Sequence, residues 1–341
     1  MLPKSDIQKI REELDNCQNP LFFFHDDPDG LCSFLLLYRY KKEGNGVCVK
    51  AVPNMDAKFI RHIEEYQPDK IFVLDIAMMQ DEFVEAAKVP IVWVDHHEAT
   101  RVDKVKCFNP RFYDKEDGAP VTAICYEVVQ QDMWIAGIGC AGDWFIPNFQ
   151  KEFQEKYPDL LPKLYKDPGD VLFQTKLGEM SKMFSFILKG KTTDVKKCYK
   201  TLTRIESPEE LLKKETSRAR FVFKHYSKVA EQYDELLQGA IKAASDDQLL
   251  IYIYPSSKMS FSGDIANEVL HKFPKKTILI GRDKSGEIRM SIRSPKKFLS
   301  ILKHALTGVE GYGGGHENAC GASVKKEDID RFEEKIREQI Q

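Results

Sequence analysis

Short apolar runs alternate with amphipathic stretches through the first half of the chain. Leu21–His25 (LFFFH), Ile71–Asp75 (IFVLD) and Ile91–Asp95 (IVWVD) have strand length and are nearly continuous in Phe, Val and Ile. Such runs suit strands buried on both faces, as in a parallel sheet. Between them, Leu31–Lys42, Met55–Tyr66 and Gln80–Lys88 read as helices, and strand–helix alternation of this kind predicts a doubly wound α/β layer. From about 195 to 245 the pattern turns helical and polar. Ser207-Pro208 is a helix start there, with Ser as N-cap and Pro at the first helical position. A new α/β pattern follows: Leu249–Tyr254, a helix from about Asp264, Thr277–Arg282, a hairpin turn at Lys284-Ser285-Gly286, and Glu287–Arg293. A Gly-rich loop at 311–315, a short strand and a charged helix complete it. The expected architecture is an α/β parallel-sheet domain (1–190), a helical connector (191–245) and a smaller C-terminal α/β domain (246–341).

Composition sets the class without changing that picture. In 341 residues, 42% are hydrophobic and 30% charged, ordinary for a globular protein with room for two cores. No apolar run is long enough for a bilayer, and the first 19 residues lack a signal-peptide core, so the expectation is a cytoplasmic protein with no membrane partner. The eight cysteines contain no C-x-x-C pair and read as reduced core thiols. The net charge of −2 hides an asymmetry: residues 248–341 hold 16 Lys+Arg against 12 Asp+Glu. The segment 182–204 has seven Lys/Arg and one Asp, with Phe184, Phe186 and Tyr199 among them. It is either a solvated helix face or a surface that tracks a polyanion backbone.

The chemistry gathers where the apolar runs stop. The first ends in His25, Asp27 and Asp29, the second in Asp75, and the third in Asp95, His96 and His97. A fourth apolar run, Trp134–Gly142, ends on Asp143. In a parallel sheet all C-terminal strand ends share one edge, where α/β folds place ligand sites. A single Asp there is often only a helix cap. So many acids on one edge would repel one another unless cations neutralised them. Carboxylates and imidazoles without organised thiolates favour Mn²⁺ or Mg²⁺, with Co²⁺, Zn²⁺ or Fe²⁺ compatible, and the ligand count suits two divalent cations.

Asp27-Pro28-Asp29-Gly30-Leu31-Cys32-Ser33 resembles the D-x-D-G-x-x-S motif of RecJ-type and nano-RNase-like DHH phosphoesterases, and Asp95-His96-His97 resembles the signature of that superfamily. Ser291-Ile292-Arg293-Ser294 and Gly313-Gly314-Gly315-His316 are similar to motifs of the DHH-associated substrate domain. The resemblance implies one ion on Asp29, Asp75, His96 and Asp143, and a second on His25, Asp27 and a bridging Asp75. It also implies that Asp95 orients a neighbouring histidine and that His97 faces the scissile phosphate. Arg293, Ser294, Gly313, Gly314, Gly315 and His316 would bind substrate from the C-terminal domain, His316 with a catalytic part. One departure from the related pyrophosphatases is that His25 stands two residues before the first Asp, where they have four. The expected function is hydrolysis of phosphodiesters by a two-metal-activated water, on single-stranded DNA or RNA ends or short oligonucleotides. The alternatives are a cyclic-dinucleotide or small-nucleotide phosphodiesterase, a pyrophosphatase, or an inactive scaffold in a replication or repair assembly. A homodimer or a replication or repair partner is compatible with each.

Overall fold

The structure is a computed structural model and describes residues 1–50, 54–256 and 259–340. By compactness the chain divides into two units, Met1–Tyr226 and Ser227–Gln341. The boundary falls inside the segment expected as a connector.

In the first unit, α1 (Lys4–Asp15) precedes β1 (Pro20–His25), α2 (Pro28–Lys41) and β2 (Asn45–Val49). A two-residue strand β3 (Asn54–Met55), α3 (Ile60–Tyr66), β4 (Lys70–Leu74), a second short strand β5 (Met78–Met79), α4 (Asp81–Ala87), β6 (Ile91–Val94) and β7 (Val105–Phe108) follow. The main sheet is fully parallel, ordered β2-β1-β4-β6-β7. Its edge strands, β2 and β7, were not read from the sequence; both are short, and Gly46 and Lys106 break their apolar character.

Near-continuous hydrophobicity has a direct cause in the packing. Phe22, Phe24, Phe72, Leu74, Val92 and Val94 point into one core, together with Leu31, Leu35 and Phe34 of α2. Leu21, Phe23, Ile71, Val73, Ile91 and Trp93 point into another on the opposite face, with Phe59 and Phe83. The two-residue period of a strand places alternate side chains in each layer, so no position is left for a polar residue.

Helices α5 (Val121–Val129) and α6 (Met133–Gly142) pack beside α2, followed by α7 (Gln150–Lys156), α8 (Pro168–Gln174), α9 (Lys176–Ile187), α10 (Thr192–Leu202) and α11 (Pro208–Lys213). The apolar run before Asp143 is therefore a buried helix. Val195, Tyr199, Leu202 and Leu211 belong to the first unit's core. Ser207 caps α11, accepting from the Glu210 N–H at 3.3 Å. The long helix α12 (Ser217–Lys242) runs across the division between the units.

The second unit holds β8 (Leu249–Pro255), α13 (Ser262–Lys272), β9 (Thr277–Lys284), β10 (Glu287–Arg293), α14 (Leu299–Ala305), β11 (Gly311–Gly315), β12 (Ala319–Lys325) and α15 (Ile329–Ile340). Its mixed sheet is ordered β11-β12-β10-β9-β8, with only the β8–β9 pair parallel. Ser285 and Gly286 both have positive φ (55° and 81°), the tight turn expected between β9 and β10. The Gly-rich segment 311–315, expected as a loop, is an edge strand instead. Missing side chains let it lie against β12: a Cβ on Gly313 would sit 2.8 Å from the Gly321 carbonyl. Among the described residues no helix is long and apolar enough to cross a membrane.

Candidate metal centre

Strand register builds the centre. Phe24 pairs with Leu74, Leu74 with Val94 and Val94 with Phe108, so His25, Asp75, Asp95 and Asn109 form one row at the C-terminal end of the sheet. Asp27 and Asp29 reach the same edge from the start of α2. Pro28 fits the first helical position, and the Asp27 carboxylate caps the helix by accepting from the Gly30 N–H at 2.9 Å. Gly30 permits the close approach of helix and strand: a Cβ there would lie 2.6 Å from the His25 backbone N and O. Asp143 arrives from the far side as the C-cap of α6.

The side chains converge in three overlapping groups. His25, Asp27 and Asp75 form one, Asp29, His96 and Asp143 a second, and Asp75, His96 and His97 a third; within each, one candidate ligand atom per residue lies within 4.8 Å of the others. Asp75 is shared. It sits 3.4 Å from His25 Nδ1 on one side and 3.4 Å from His96 Nε2 on the other. It is 1% exposed, and neither carboxylate oxygen has a hydrogen-bond partner; the buried His96 Nδ1 is unpaired as well. Buried polar atoms without partners are rare and costly. Asp75 also has a left-handed backbone, φ 58°, a strained conformation of the kind that clusters at functional sites. Orphaned carboxylate and imidazole atoms gathered in one cluster fit a divalent cation, the ligand chemistry of carboxylate–histidine sites.

The electrostatics agree. Burial, then the Asp27 and Asp29 charges, push the Asp75 carboxyl well above the usual carboxylate range. Burial and the Asp29 charge raise Asp143 to about 8, at a helix C-terminus where partial negative charge already disfavours an anion. Burial opposes the charged form of His25, but its hydrogen bond to Asp27 and the charge of the nearby Asp75 carboxylate outweigh this and lift it to about 11. These carboxylates fit the space poorly as anions without a cation.

Three features complete the site. Asp95, buried, accepts from the His97 backbone N–H at 2.9 Å and lies 2.8 Å from His97 Nδ1, which fixes the ring and raises its pKa. Asp29 has a second task that the sequence did not show: its two oxygens accept from the Val121 and Thr122 N–H groups at 2.9 and 2.6 Å, capping α5. Asn109 was likewise missed. Its amide donates to the His97 carbonyl at 3.1 Å. The strand end before Pro110 was its only local signal.

In the second unit, Arg293 Nε donates to Asn267 Oδ1 at 2.6 Å, and Ser294 is buried with its hydroxyl 3.1 Å from that of Thr277. Gly313, Gly314, Gly315 and His316 are exposed at the strand edge. The segment 182–204 departs from one reading. Phe184, Phe186 and Tyr199 are buried core residues, unable to stack on bases, and Lys196 Nζ is bound to the Tyr66 hydroxyl at 2.9 Å. Lys191, Lys197, Lys200 and Arg204 remain exposed.

A parallel α/β layer with an acid–histidine cluster at its C-terminal edge, joined to a second mixed-sheet unit, defines a metal-binding hydrolase. The chain belongs to the DHH superfamily of phosphoesterases: the DHH family N-terminal domain matches residues 21–157 and the DHHA1 domain residues 246–341. No curated protein matches the sequence significantly. Among solved structures, RecJ in complex with Mn²⁺ from Thermus thermophilus is 12% identical, with a TM-score of 0.57 over 98% of this chain and 54% of that one. This chain thus spans about half the length of that protein. An exonuclease RecJ bound to manganese gives 13% and 0.56, over 99% of this chain and 95% of that one. A pGpG-specific phosphodiesterase from Vibrio cholerae gives 11% and 0.52, over 95% of this chain and 99% of that one.

Proposed function

We propose that the chain hydrolyses phosphodiester bonds at the ends of single-stranded nucleic acids or short oligonucleotides, with two divalent cations, Mn²⁺ foremost. Asp75 carries this reading: a buried carboxylate with no hydrogen-bond partner, shared between two groups of ligands. Asp29, Asp75, His96 and Asp143 would hold one ion, and His25, Asp27 and Asp75 the other. Bound there, the pair would activate water and neutralise charge developing on the phosphoryl oxygens. His97 then has a separate role. Its Nδ1 is held by the Asp95 carboxylate, which raises its pKa, and its Nε2 would face a phosphate oxygen. Arg293, Ser294, Gly313–Gly315 and His316 are assigned to substrate binding. Cytoplasmic residence goes with this reading, since all eight cysteines are free thiols.

A second reading, a small-nucleotide phosphodiesterase, draws on the fold likeness to the pGpG-specific phosphodiesterase over 95% of this chain. One assay separates the two: Mn²⁺-supported digestion of end-labelled DNA and RNA of several lengths, beside dinucleotides, cyclic dinucleotides and pyrophosphate. Stepwise shortening of oligomers supports the first reading and turnover of dinucleotides alone the second. Turnover of pyrophosphate alone would refute both.

A further inference from the structure

The helix that delivers Asp143 ends in an unexpected way. Beyond the C-cap, the Phe145 N–H bonds back to the Cys140 carbonyl at 2.9 Å and the Trp144 N–H to the Ala141 carbonyl at 3.2 Å. This is the Schellman pattern, whose left-handed position is usually glycine because a side chain there is strained. Here the position is Trp144, with φ 54°. Burial does not account for it. Phe145 turns inward and lines a small apolar cavity with Ile146 and Pro147. Trp144 stays 41% exposed, whereas Trp93 and Trp134 are buried. Its indole is braced edge-on by Phe173, ring centroids 5.6 Å apart at 70°, which fixes the ring's orientation. The chain therefore holds its one exposed tryptophan, at a conformational cost, one residue from an acid of the metal centre.

The geometry points to Trp144 as a stacking platform for a nucleobase of the substrate, next to the phosphodiester held at the cluster. The inference rests on the phosphodiesterase reading and adds a specificity-determining residue to it. A flat aromatic face accepts any base, so it would select for the presence of a base and not for its identity. Trp144 touches no reacting atom in this role; it positions the nucleotide.

Two measurements test it on the whole chain. In the first, KM is compared for a dinucleotide and for versions abasic at either position. Trp144→Gly should raise KM for the dinucleotide about tenfold, a typical loss for one base stack, and collapse its advantage over one of the abasic versions. Trp144→Phe should restore part of it. The melting temperature of Trp144→Gly should hold or rise, because glycine relieves the strained position, so the KM effect could not come from misfolding. In the second, with Mg²⁺ present, AMP should quench the exposed tryptophan's fluorescence and ribose 5-phosphate should not. An unchanged KM ratio in Trp144→Gly, or equal effects of the two ligands on fluorescence, would overturn the assignment while hydrolysis by the wild type stands. If the wild type cleaves no phosphodiester, the underlying reading falls, and the fluorescence comparison alone decides for or against base stacking.

Discussion

Replacing Asp75 with Asn separates metal binding from folding. In the metal-free protein the change should cost little stability, because neither Asp75 oxygen makes a hydrogen bond that an amide would lose. Its effect should appear only when metal is added. A ligand that binds only the folded state stabilises it by about 2.7 kcal/mol at a hundred times its Kd, so two ions should add about 5 kcal/mol. For a unit of this size each kcal/mol moves the melting temperature by about 2–4 °C, which predicts a rise of roughly 10–20 °C on saturation. Asp75 belongs to both proposed ion sites, so Asp75→Asn should lose nearly all of that rise together with activity. His25→Ala, which removes a ligand from one ion only, should lose about half. The assay is thermal unfolding by fluorescence against Mn²⁺ concentration, with EDTA as the zero point. Asp29→Ala is the contrast: it should destabilise the metal-free protein by about 2–4 kcal/mol, since two charge-assisted bonds to the start of α5 are lost. A metal-induced shift in Asp75→Asn equal to that of the wild type would refute the shared-ligand geometry.

Gly30→Ala should destabilise by about 2–3 kcal/mol and abolish activity, because its Cβ would meet the His25 backbone at 2.6 Å; urea unfolding measures the first effect and phosphodiester turnover the second. A carboxyl whose pKa is raised in the folded state contributes stability that is lost as pH rises through the folded value. With Asp143 at about 8 and Asp75 raised in the same direction, the EDTA-treated protein should lose stability between about pH 4 and pH 8. Saturating Mn²⁺ should flatten that fall, and melting curves across the range test both statements. Affinity for oligonucleotides should fall as salt rises, and the double change Lys197→Ala with Lys200→Ala should lower the slope of log affinity against log salt in fluorescence-anisotropy titrations. His316→Ala should depress turnover with no loss of the metal-induced melting shift, measured on the same preparation.

Much of this protein is determined by sequence alone. Leu21–His25, Ile71–Asp75 and Ile91–Asp95 were legible as strands because a parallel strand covered on both faces has no solvent side and so no polar alternation. The acids and histidines that end them were legible because sheet geometry sends every such end to one edge. Local rules also fixed the Ser285-Gly286 turn and the Ser207 cap, whose hydrogen bonds span only a few residues. What depended on contacts between distant segments was not legible. The run 134–142 has no periodicity to distinguish buried helix from buried strand, since every face of α6 is covered. Asp29 caps a helix 92 residues further on, a bond that no local pattern encodes. Phe184, Phe186 and Tyr199, which lie among lysines in the sequence, point into the core because α9 and α10 turn that face inward. Gly311–Gly315 became a strand only when β12 offered a backbone to approach. The sequence named the metal-binding residue types and their edge. The tertiary structure decided which atoms were left without partners, Asp75 above all, because burial is a property of the whole packed unit and not of any segment in it.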